Sequence, residues 1–154
     1  MADIDLFKGL APDEAERVLA LGERVVTTTG AELFHLGDAA ESIYLVVRGR
    51  LRLTLPMQVR SHEEDILVEE RSSGQTVGWS ALIPPYRFTL TASAPLETEV
   101  IALSREALKG YFAAHPDTGY AISLNLSCVI GHRLQLFQAM WLREIQRMVE
   151  MRCA

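Results

Sequence analysis

Cysteine is scarce in this sequence, since Cys128 and Cys153 are the only two among 154 residues. Two thiols near the carboxy terminus are too few for a disulfide framework, a four-cysteine zinc site or an iron–sulfur cluster. A single domain of this length buries about 70% of the surface of its unfolded chain, so its core needs no such cross-links. We therefore expect free thiols and a reducing, cytoplasmic location.

Long apolar runs and an excess of basic residues are also missing. Charges at Asp3, Asp5 and Lys8 precede any apolar run, so we expect neither a signal peptide nor a membrane-spanning segment at the start. The net charge of -5 argues against a general affinity for nucleic acid, because phosphate binding depends on clustered Lys and Arg. These absences predict a protein without membrane contact. They still allow a local patch of basic residues on its surface.

Patterns typical of enzymes and metal sites are sparse as well. Ser80 lacks the glycine two positions later that a nucleophile elbow needs. No two histidines lie within three residues of each other, unlike the His-x-His spacing of many metal sites. The four are His35, His62, His115 and His132. We therefore expect no metal, no cofactor and no enzymatic activity.

What the sequence does contain is a β-rich centre between helical ends. Pro12 followed by the acidic Asp13 is a typical helix start, and we expect this first helix to end at Gly22. From Glu23 to about Ala102, β-branched runs are separated by glycine-containing turns and provide at least six short strands. This regular spacing predicts an antiparallel sandwich or roll.

The β-rich centre includes one polar stretch and one alternating stretch. Residues 56–65 are mostly polar, which predicts a solvent-facing loop or hairpin tip. From residue 87 onward polar and apolar residues alternate, which predicts a strand with Arg87, Thr89 and Thr91 on one face. Phe88 then points to the opposite face.

Two further helices are expected after Leu103. Ser104 is a good N-cap for the first, which stops before Pro116. The second runs from about Asp117 to Met151 and carries an apolar stripe. The stripe consists of Ile130, Leu134, Phe137, Trp141, Ile145 and Met148. Such a helix either packs lengthwise on its own domain or pairs with a second copy across a two-fold axis, and we favour pairing.

Several motifs of the centre occur in an order that is typical of one family. A glycine–acid turn at 37–38 is followed by a strand–turn–strand over 42–53, and Gly74 and Gly78 then precede Arg87. Together with the order of helices, these motifs resemble the cyclic-nucleotide-binding domain of the catabolite activator protein superfamily over nearly the whole chain. The resemblance places Gly78 at the turn into the phosphate-binding cassette and Arg87 near the phosphate-binding arginine of that cassette.

The resemblance implies a mainly β fold with flanking α-helices. It is an antiparallel β-roll (jelly-roll, double-stranded β-helix) with an N-terminal helix, a short helix and a long C-terminal helix. Residues 1–116 are expected to form the roll with its flanking helices, and residues 117–154 the long helix of the same domain, used for a homodimer. Only Arg152, Cys153 and Ala154 follow the expected end of this helix at Met151, so we expect no DNA-binding module and no direct contact with DNA.

The resemblance also implies a ligand site in the cassette. Residues 78–83 predict a one-turn helix that two prolines end, with backbone N–H groups from residue 80 onward free to bind an anion. Arg87 supplies the cation, or else is an exposed arginine or one paired with a carboxylate such as Glu32. Trp79 and Tyr86 shape or cover the pocket. The expected ligand-binding residues are Gly78, Trp79, Ser80, Ala81, Leu82, Arg87, Phe88 and Thr89.

Trp79 departs from the family pattern. Nucleotide-binding members usually carry a glutamate at this position, where its carboxylate accepts a hydrogen bond from the ribose, whereas tryptophan is bulkier and offers only a donor. We favour a stand-alone regulatory or sensor domain that binds a nucleotide or another small anionic effector and signals through its C-terminal helix to a partner not yet identified. The alternative is a ligand-free oligomerisation or docking scaffold in which Trp79 closes the pocket.

Overall fold

A computed structural model describes residues 3–154 and contains eight strands and three α-helices in this part of the chain. The strands are β1 (Glu23–Thr27), β2 (Glu32–Phe34), β3 (Ser42–Arg48), β4 (Arg50–Val59), β5 (His62–Ser72), β6 (Thr76–Val77), β7 (Thr91–Ser93) and β8 (Thr98–Ser104). The helices are α1 (Pro12–Leu19), α2 (Arg105–Ala114) and α3 (Pro116–Cys153). Two 3₁₀ turns lie at Asp5–Phe7 and Trp79–Ala81. The predicted order of elements is confirmed.

The strands form two antiparallel four-stranded sheets. The first has the order β1-β8-β3-β6 and the second β2-β7-β4-β5. Side chains from both sheets, such as Leu45, Leu51 and Val100, are almost completely buried in one apolar core. Burial of a Leu or Val side chain contributes about 1.5–3 kcal/mol, so this core stabilises the two sheets as one unit. The prediction of a mainly β, antiparallel roll is confirmed.

Local signals in the sequence explain where the helices begin. Pro12 is the first residue of α1, and Pro116 is the first residue of α3. The hydroxyl of Ser104 accepts a hydrogen bond from the backbone N–H of Ala107 (3.1 Å), which caps α2 as predicted. Helix α1 ends at Leu19, three residues before the expected stop.

The polar segment 56–65 forms the tip of a hairpin, so of the two predicted alternatives the hairpin tip is confirmed and the loop was wrong. Strands β4 and β5 remain paired out to Val59 and His62, and only Arg60 and Ser61 connect them. Arg60 has a φ of 55°, the left-handed conformation that two-residue hairpin turns require. The outer part of this hairpin has solvent around it, so its strands need no apolar face and do not show the usual alternation.

Hydrogen bonds fix the first turn of α3 to the other helices. The Glu14 carboxylate of α1 accepts hydrogen bonds from the Tyr111 hydroxyl (2.6 Å), the Thr118 hydroxyl (2.7 Å) and Nη2 of Arg17 (2.6 Å). These donors, Tyr111 first, lower the pKa of Glu14 to about 2. The ionised carboxylate therefore joins α1, the end of α2 and the start of α3.

Helix α3 packs against the roll only along its first half. Ile122 and Leu126 are buried there, and the amide of Asn125 donates hydrogen bonds to the carbonyls of Leu6 and Lys8 at 2.8 and 2.9 Å. Beyond about residue 138 most side chains are exposed. Within residues 3–154 no helix combines the length and apolar character that crossing a membrane requires.

The predicted apolar stripe of α3 is divided between two faces. Ile130 and Phe137 pack against the core, whereas Leu134, Trp141 and Met148 are 59%, 65% and 55% exposed. The spacing of three and four residues is the same for both sets, so the sequence pattern alone did not separate them. The exposed set is available for contact with another molecule.

Candidate functional site

The predicted cassette connects β6 to β7 and begins with a sharp turn. Gly78 has a φ of 85°, a left-handed conformation that glycine adopts without strain. A Cβ at this position would lie 3.2 Å from the ring of Phe88, so glycine also allows the close approach of that ring. The expected one-turn helix is present as the 3₁₀ turn Trp79–Ala81.

The 3₁₀ turn uses two of the three backbone donors that were expected to face a ligand. The N–H of Ala81 donates to the carbonyl of Gly78, and the N–H of Leu82 donates to the carbonyl of Trp79, both at 3.1 Å. A 3₁₀ turn bonds each residue to the third one before it, so only its first N–H groups stay free. The expectation that Ala81 and Leu82 offer these donors was therefore wrong.

A narrow pocket lies beneath the cassette turn, against the second sheet and α3. Its walls are mostly apolar and aromatic, and the space in which the centre of a water molecule fits is about 10 Å³. That is barely enough for one water molecule, so in this conformation the pocket is closed to any larger ligand. Its lining residues are Phe34, Leu53, Gly78, Trp79, Ser80, Phe88, Thr89, Leu90 and Arg133.

Aromatic rings account for much of this closure. The rings of Phe34 and Phe88 are stacked with their centroids 3.7 Å apart, and the ring of Tyr44 lies 5.9 Å from that of Phe34. Both phenylalanines are more than nine-tenths buried. A ligand can therefore enter only if these rings, the cassette turn or α3 move.

The alternation predicted from residue 87 is present as far as Leu90, with Arg87 and Thr89 exposed and Phe88 buried, but Thr91 is buried and the expected strand is shorter. Strand β7 begins only at Thr91, and Phe88 is held by backbone hydrogen bonds to Gly37 and Asp38. Phe88 and Thr89 both line the pocket, the first from its buried side and the second from its exposed side.

Arg87 lies outside this pocket. Its side chain is exposed, and its Nη1 donates a hydrogen bond to the carbonyl of Gly37 at 3.0 Å. The expected alternative partner, Glu32, instead contacts the ring of His35 at 3.1 Å. Tyr86 is likewise absent from the pocket lining. Its ring packs under the guanidinium of Arg105, whose Cζ lies 3.9 Å from the centroid of the ring. The role of Arg87 as a ligand contact stays a prediction.

The structure thus brings together five of the eight predicted ligand-binding residues. These are Gly78, Trp79, Ser80, Phe88 and Thr89. Ala81 is buried beside the pocket, where its carbonyl accepts a hydrogen bond from Arg105 at 2.9 Å.

The sequence analysis missed Arg133, the one charged side chain that lines the pocket in the described part of the chain. Arg133 is only 9% exposed, and its Nε donates a hydrogen bond to Oε2 of Glu69 at 2.8 Å. Burial lowers the pKa of Arg133, and the neighbouring carboxylate of Glu69 acts in the opposite direction. A signal was available, because Arg133 follows Leu126 and the half-buried Ile130 at helical spacing on the face that packs against the core.

Glu69 joins Arg133 to a second buried arginine, Arg71. Oε1 of Glu69 accepts a hydrogen bond from Nη1 of Arg71 at 2.9 Å. Arg71 also donates to Oδ2 of Asp5 at 2.8 Å and to the carbonyl of Thr76 at 3.2 Å. Two positive and two negative groups therefore balance each other, and they connect α3 to β5 and to the first 3₁₀ turn.

The fold and the position of the pocket define the class of protein. Residues 24–115 match the family described as "Cyclic nucleotide-binding domain". The chain therefore belongs to this family, as the motifs around Gly37, Gly78 and Arg87 predicted.

Individual relatives agree with this assignment. A cyclic AMP receptor protein of Thermus thermophilus is 28% identical over 132 residues, which cover 84% of this chain and 57% of that protein. The crystal structure of the Thermus thermophilus catabolite activator protein superimposes with a TM-score of 0.74 at 26% identity, covering 92% of this chain and 63% of the other. The chain thus spans little more than half the length of this curated relative.

A third relative is an enzyme. Lysophospholipase nte1 of Neurospora crassa is 30% identical over 115 residues, which are 75% of this chain and 7% of that protein. The shared segment is a small part of the fungal protein, so this likeness does not assign its activity to the chain. The absence of enzymatic activity stays a prediction.

Proposed function

We propose that this chain is a regulatory domain that binds a small anionic effector in the pocket beneath Trp79 and signals its presence through α3. The observation that carries the proposal is that α3 contributes Arg133 to the pocket wall. A ligand in this pocket contacts both the roll and the helix. The free energy of ligand binding therefore depends on the position of the helix, and the helix position depends in turn on whether the ligand is bound. Membership of the cyclic nucleotide-binding family supports the same function.

An anion is favoured by the charge of the pocket. Arg133 is positive, Ser80 and Thr89 offer hydroxyl groups, and no carboxylate is among the residues lining the described pocket. The apolar and aromatic walls suit the rest of the ligand. Trp79 cannot accept a hydrogen bond from a ribose, so a nucleotide bound here lacks that contact.

The closed pocket makes binding a two-state process. Because the pocket has room for only about one water molecule, the effector selects an open conformation in which the cassette turn or α3 has shifted. The apparent affinity is lowered by the small population of that open conformation. This coupling is what a sensor needs, since the ligand prefers one state of the helix over the other.

In this proposal two copies pair through α3. Leu134, Trp141 and Met148 are exposed and lie seven residues apart, and the half-buried Ile145 lies between two of them. Apolar residues with this repeat form the seam of a two-stranded coiled coil. The pairing transmits a movement of one helix to its twin and to any downstream partner.

The remaining expectations are part of the same proposal. Cys128 and Cys153 are both free and exposed, which supports a reducing, cytoplasmic location. Regulation without direct contact with DNA and without enzymatic activity belongs to the same proposal.

A thermal-shift screen tests the proposed function. The purified chain is heated with cyclic AMP, cyclic GMP, a cyclic dinucleotide, inorganic phosphate or phenyl phosphate. A ligand present at 100 times its dissociation constant stabilises the folded state by about 2.7 kcal/mol, which raises the midpoint by roughly 5–10 °C at this chain length. We expect such a rise with at least one anion. A folded protein that responds to none of them contradicts the proposal.

A ligand-free scaffold is the second candidate, and the stacked rings of Phe34 and Phe88 favour it. In that case the pocket is part of the core and binds no anion. The scaffold predicts a stable dimer with no thermal shift in the same screen, so one experiment separates the two candidates.

A further inference from the structure

Arg133 has more hydrogen-bond donors than its protein partners use. A guanidinium carries five N–H groups, and in Arg133 only the Nε–H has an acceptor, the carboxylate of Glu69. Within residues 3–154 its Nη1 and Nη2 make no hydrogen bond. Neither atom is a buried one left without a partner, so solvent reaches both, and a water molecule bonded to them can be exchanged for an oxygen of a ligand.

The position of Arg133 fits a ligand better than a purely structural role. It lines the pocket with the hydroxyl-bearing Ser80 and Thr89, next to the aromatic Trp79 and Phe88. The fork of a guanidinium matches the two oxygens of a phosphate or carboxylate group. By contrast, the guanidinium of Arg87 is outside this lining and donates to a backbone carbonyl.

The partner that Arg133 now has is easily replaced. Glu69 stays paired with Arg71 at 2.9 Å if Arg133 leaves, and Arg71 in turn stays paired with Asp5 at 2.8 Å. If Arg133 is released, the carboxylate of Glu69 still has a cation beside it. A buried carboxylate left without a cation would strongly destabilise the protein, and this does not occur here. Glu69 thus acts as an internal anion that occupies Arg133 while the pocket is closed.

Resting on the proposed function, we infer that Arg133 is the ligand-binding cation of this pocket and that the oxyanion of the effector displaces Glu69 from it. The effector is an aromatic or otherwise flat apolar body that carries a phosphate or carboxylate group. Because Arg133 belongs to α3, the exchange of Glu69 for the ligand changes how the helix is held against β5. The closed and the occupied pocket thus differ in the partner of Arg133, which is Glu69 in the closed pocket and the ligand in the occupied one.

Trp79 provides a direct readout of this exchange. The chain has only two tryptophans, so Trp141→Phe leaves Trp79 as the sole one, at the pocket wall. Fluorescence of this protein is titrated with phenyl phosphate, benzoate and cyclic AMP, and with phenol as the uncharged control. We expect a saturable change with an anion and none with phenol. Phenyl phosphate and benzoate tell a phosphate from a carboxylate preference.

Substitutions then identify the cation. Arg133→Gln is expected to weaken binding about tenfold or more, since it removes a charged hydrogen-bond donor. Glu69→Gln is expected to tighten binding severalfold, because the competing charge is gone. Glu70→Gln is the matched control on the exposed side of the same strand and leaves the affinity within twofold of the parent. Arg87→Gln tests the arginine that the sequence had suggested.

The outcomes separate the inference from the proposed function. If Arg87→Gln abolishes binding while Arg133→Gln leaves it within twofold, the inference is overturned and the proposed function stands. If no anion changes the fluorescence of either the parent or Glu69→Gln, both are overturned. Circular dichroism confirms folding of each variant. Should Arg133→Gln fail to fold, Glu69→Gln decides the matter, since an unchanged affinity in that folded variant contradicts the competition.

Discussion

The two halves of α3 have the same helical conformation and very different surroundings. In the first half Ile122 and Leu126 are 0% and 3% exposed, whereas in the second half Trp141 and Met148 are 65% and 55% exposed. The first half is stabilised by its own roll. The second half projects from it, and an isolated helix of about 15 residues is only marginally stable in water. Its apolar side chains therefore need a partner, while those of the first half already have one.

The difference shows how one helix can serve a pocket and an interface together. Arg133 reaches the pocket from the first half, and the exposed seam of Leu134 and Trp141 begins at the next residue. A change at the pocket is therefore close to the surface that a second copy would contact. Each prediction below alters one half of the helix or a contact that holds it, and tests whether the two halves differ as described.

Removing buried side-chain volume from the first half has the largest expected effect. Ile122→Ala leaves a cavity in the core and should lower the free energy of unfolding by about 2–5 kcal/mol. Urea denaturation followed by circular dichroism measures this loss. Leu124→Ala, two residues away and 53% exposed, is the matched control and should cost less than about 0.5 kcal/mol in the monomer. Equal losses would mean that the two faces of the first half are not different.

A charge in the second half should break the pairing and spare the roll. Trp141→Glu places a carboxylate in the proposed seam, and the dimer dissociation constant should rise about 30-fold or more, since central aromatic residues commonly contribute about 2 kcal/mol or more. Sedimentation velocity over a concentration series measures this change. Gln135→Glu adds the same charge at an exposed position off the seam and should leave the dimer intact. If the parent protein is a monomer, the proposed pairing through the second half of α3 is wrong.

Acid should loosen the start of α3 through Glu14. The folded-state pKa of Glu14 is lowered from 4.5 to about 2, mainly by the hydrogen bond from Tyr111. A lowered carboxyl pKa gives stability that is present above the unfolded value and lost as pH falls through the folded one. The difference in melting temperature between wild type and Glu14→Gln should therefore be constant above about pH 5 and shrink between pH 4.5 and 2. Glu16→Gln is the exposed control. A difference that does not change with pH would exclude this role of Glu14.

Much of the fold could be predicted because its signals are local. Pro12, Ser104 and Pro116 each set a helix start through their own backbone or side chain, and the glycine turns divided the strands. For residues 56–65 the sequence left a loop and a hairpin tip as alternatives, because the two-residue turn at Arg60 lies within a polar stretch. The pairing of β4 with β5 depends on the residues of the facing strand, and a local sequence pattern contains no information about those residues.

The site was predicted less well because its residues come from distant parts of the chain. Gly78 and Trp79 were found through their order in the sequence, but Arg133 lies more than fifty residues later. The helical spacing from Leu126 to Arg133 indicated an inward position, but arginine is rarely buried without a partner, and the partner Glu69 comes from a distant strand. The placement of Arg87 likewise depends on the carbonyl of Gly37, to which it bonds.

The smallest expected effect concerns two ion pairs that resemble each other in geometry. Nε of Arg133 lies 2.8 Å from Glu69 in the first half, and Nη1 of Arg147 lies 3.2 Å from Glu144 in the second. Arg133→Met removes a buried charged hydrogen bond and should cost about 1–3 kcal/mol, although Glu69 keeps its bond to Arg71. Arg147→Met breaks a pair whose partners are both more than 60% exposed and should cost less than about 0.5 kcal/mol.

Urea denaturation of both variants at low and high salt sharpens this last contrast. Salt screens exposed charges, so the small loss from Arg147→Met should disappear at 1 M salt, where the screening length is about 3 Å. The loss from Arg133→Met should persist, because burial shields that pair from dissolved ions. If the loss from Arg133→Met also vanished with salt, the pocket side of α3 would be as open to solvent as its far end, and the helix would not hold the pocket closed.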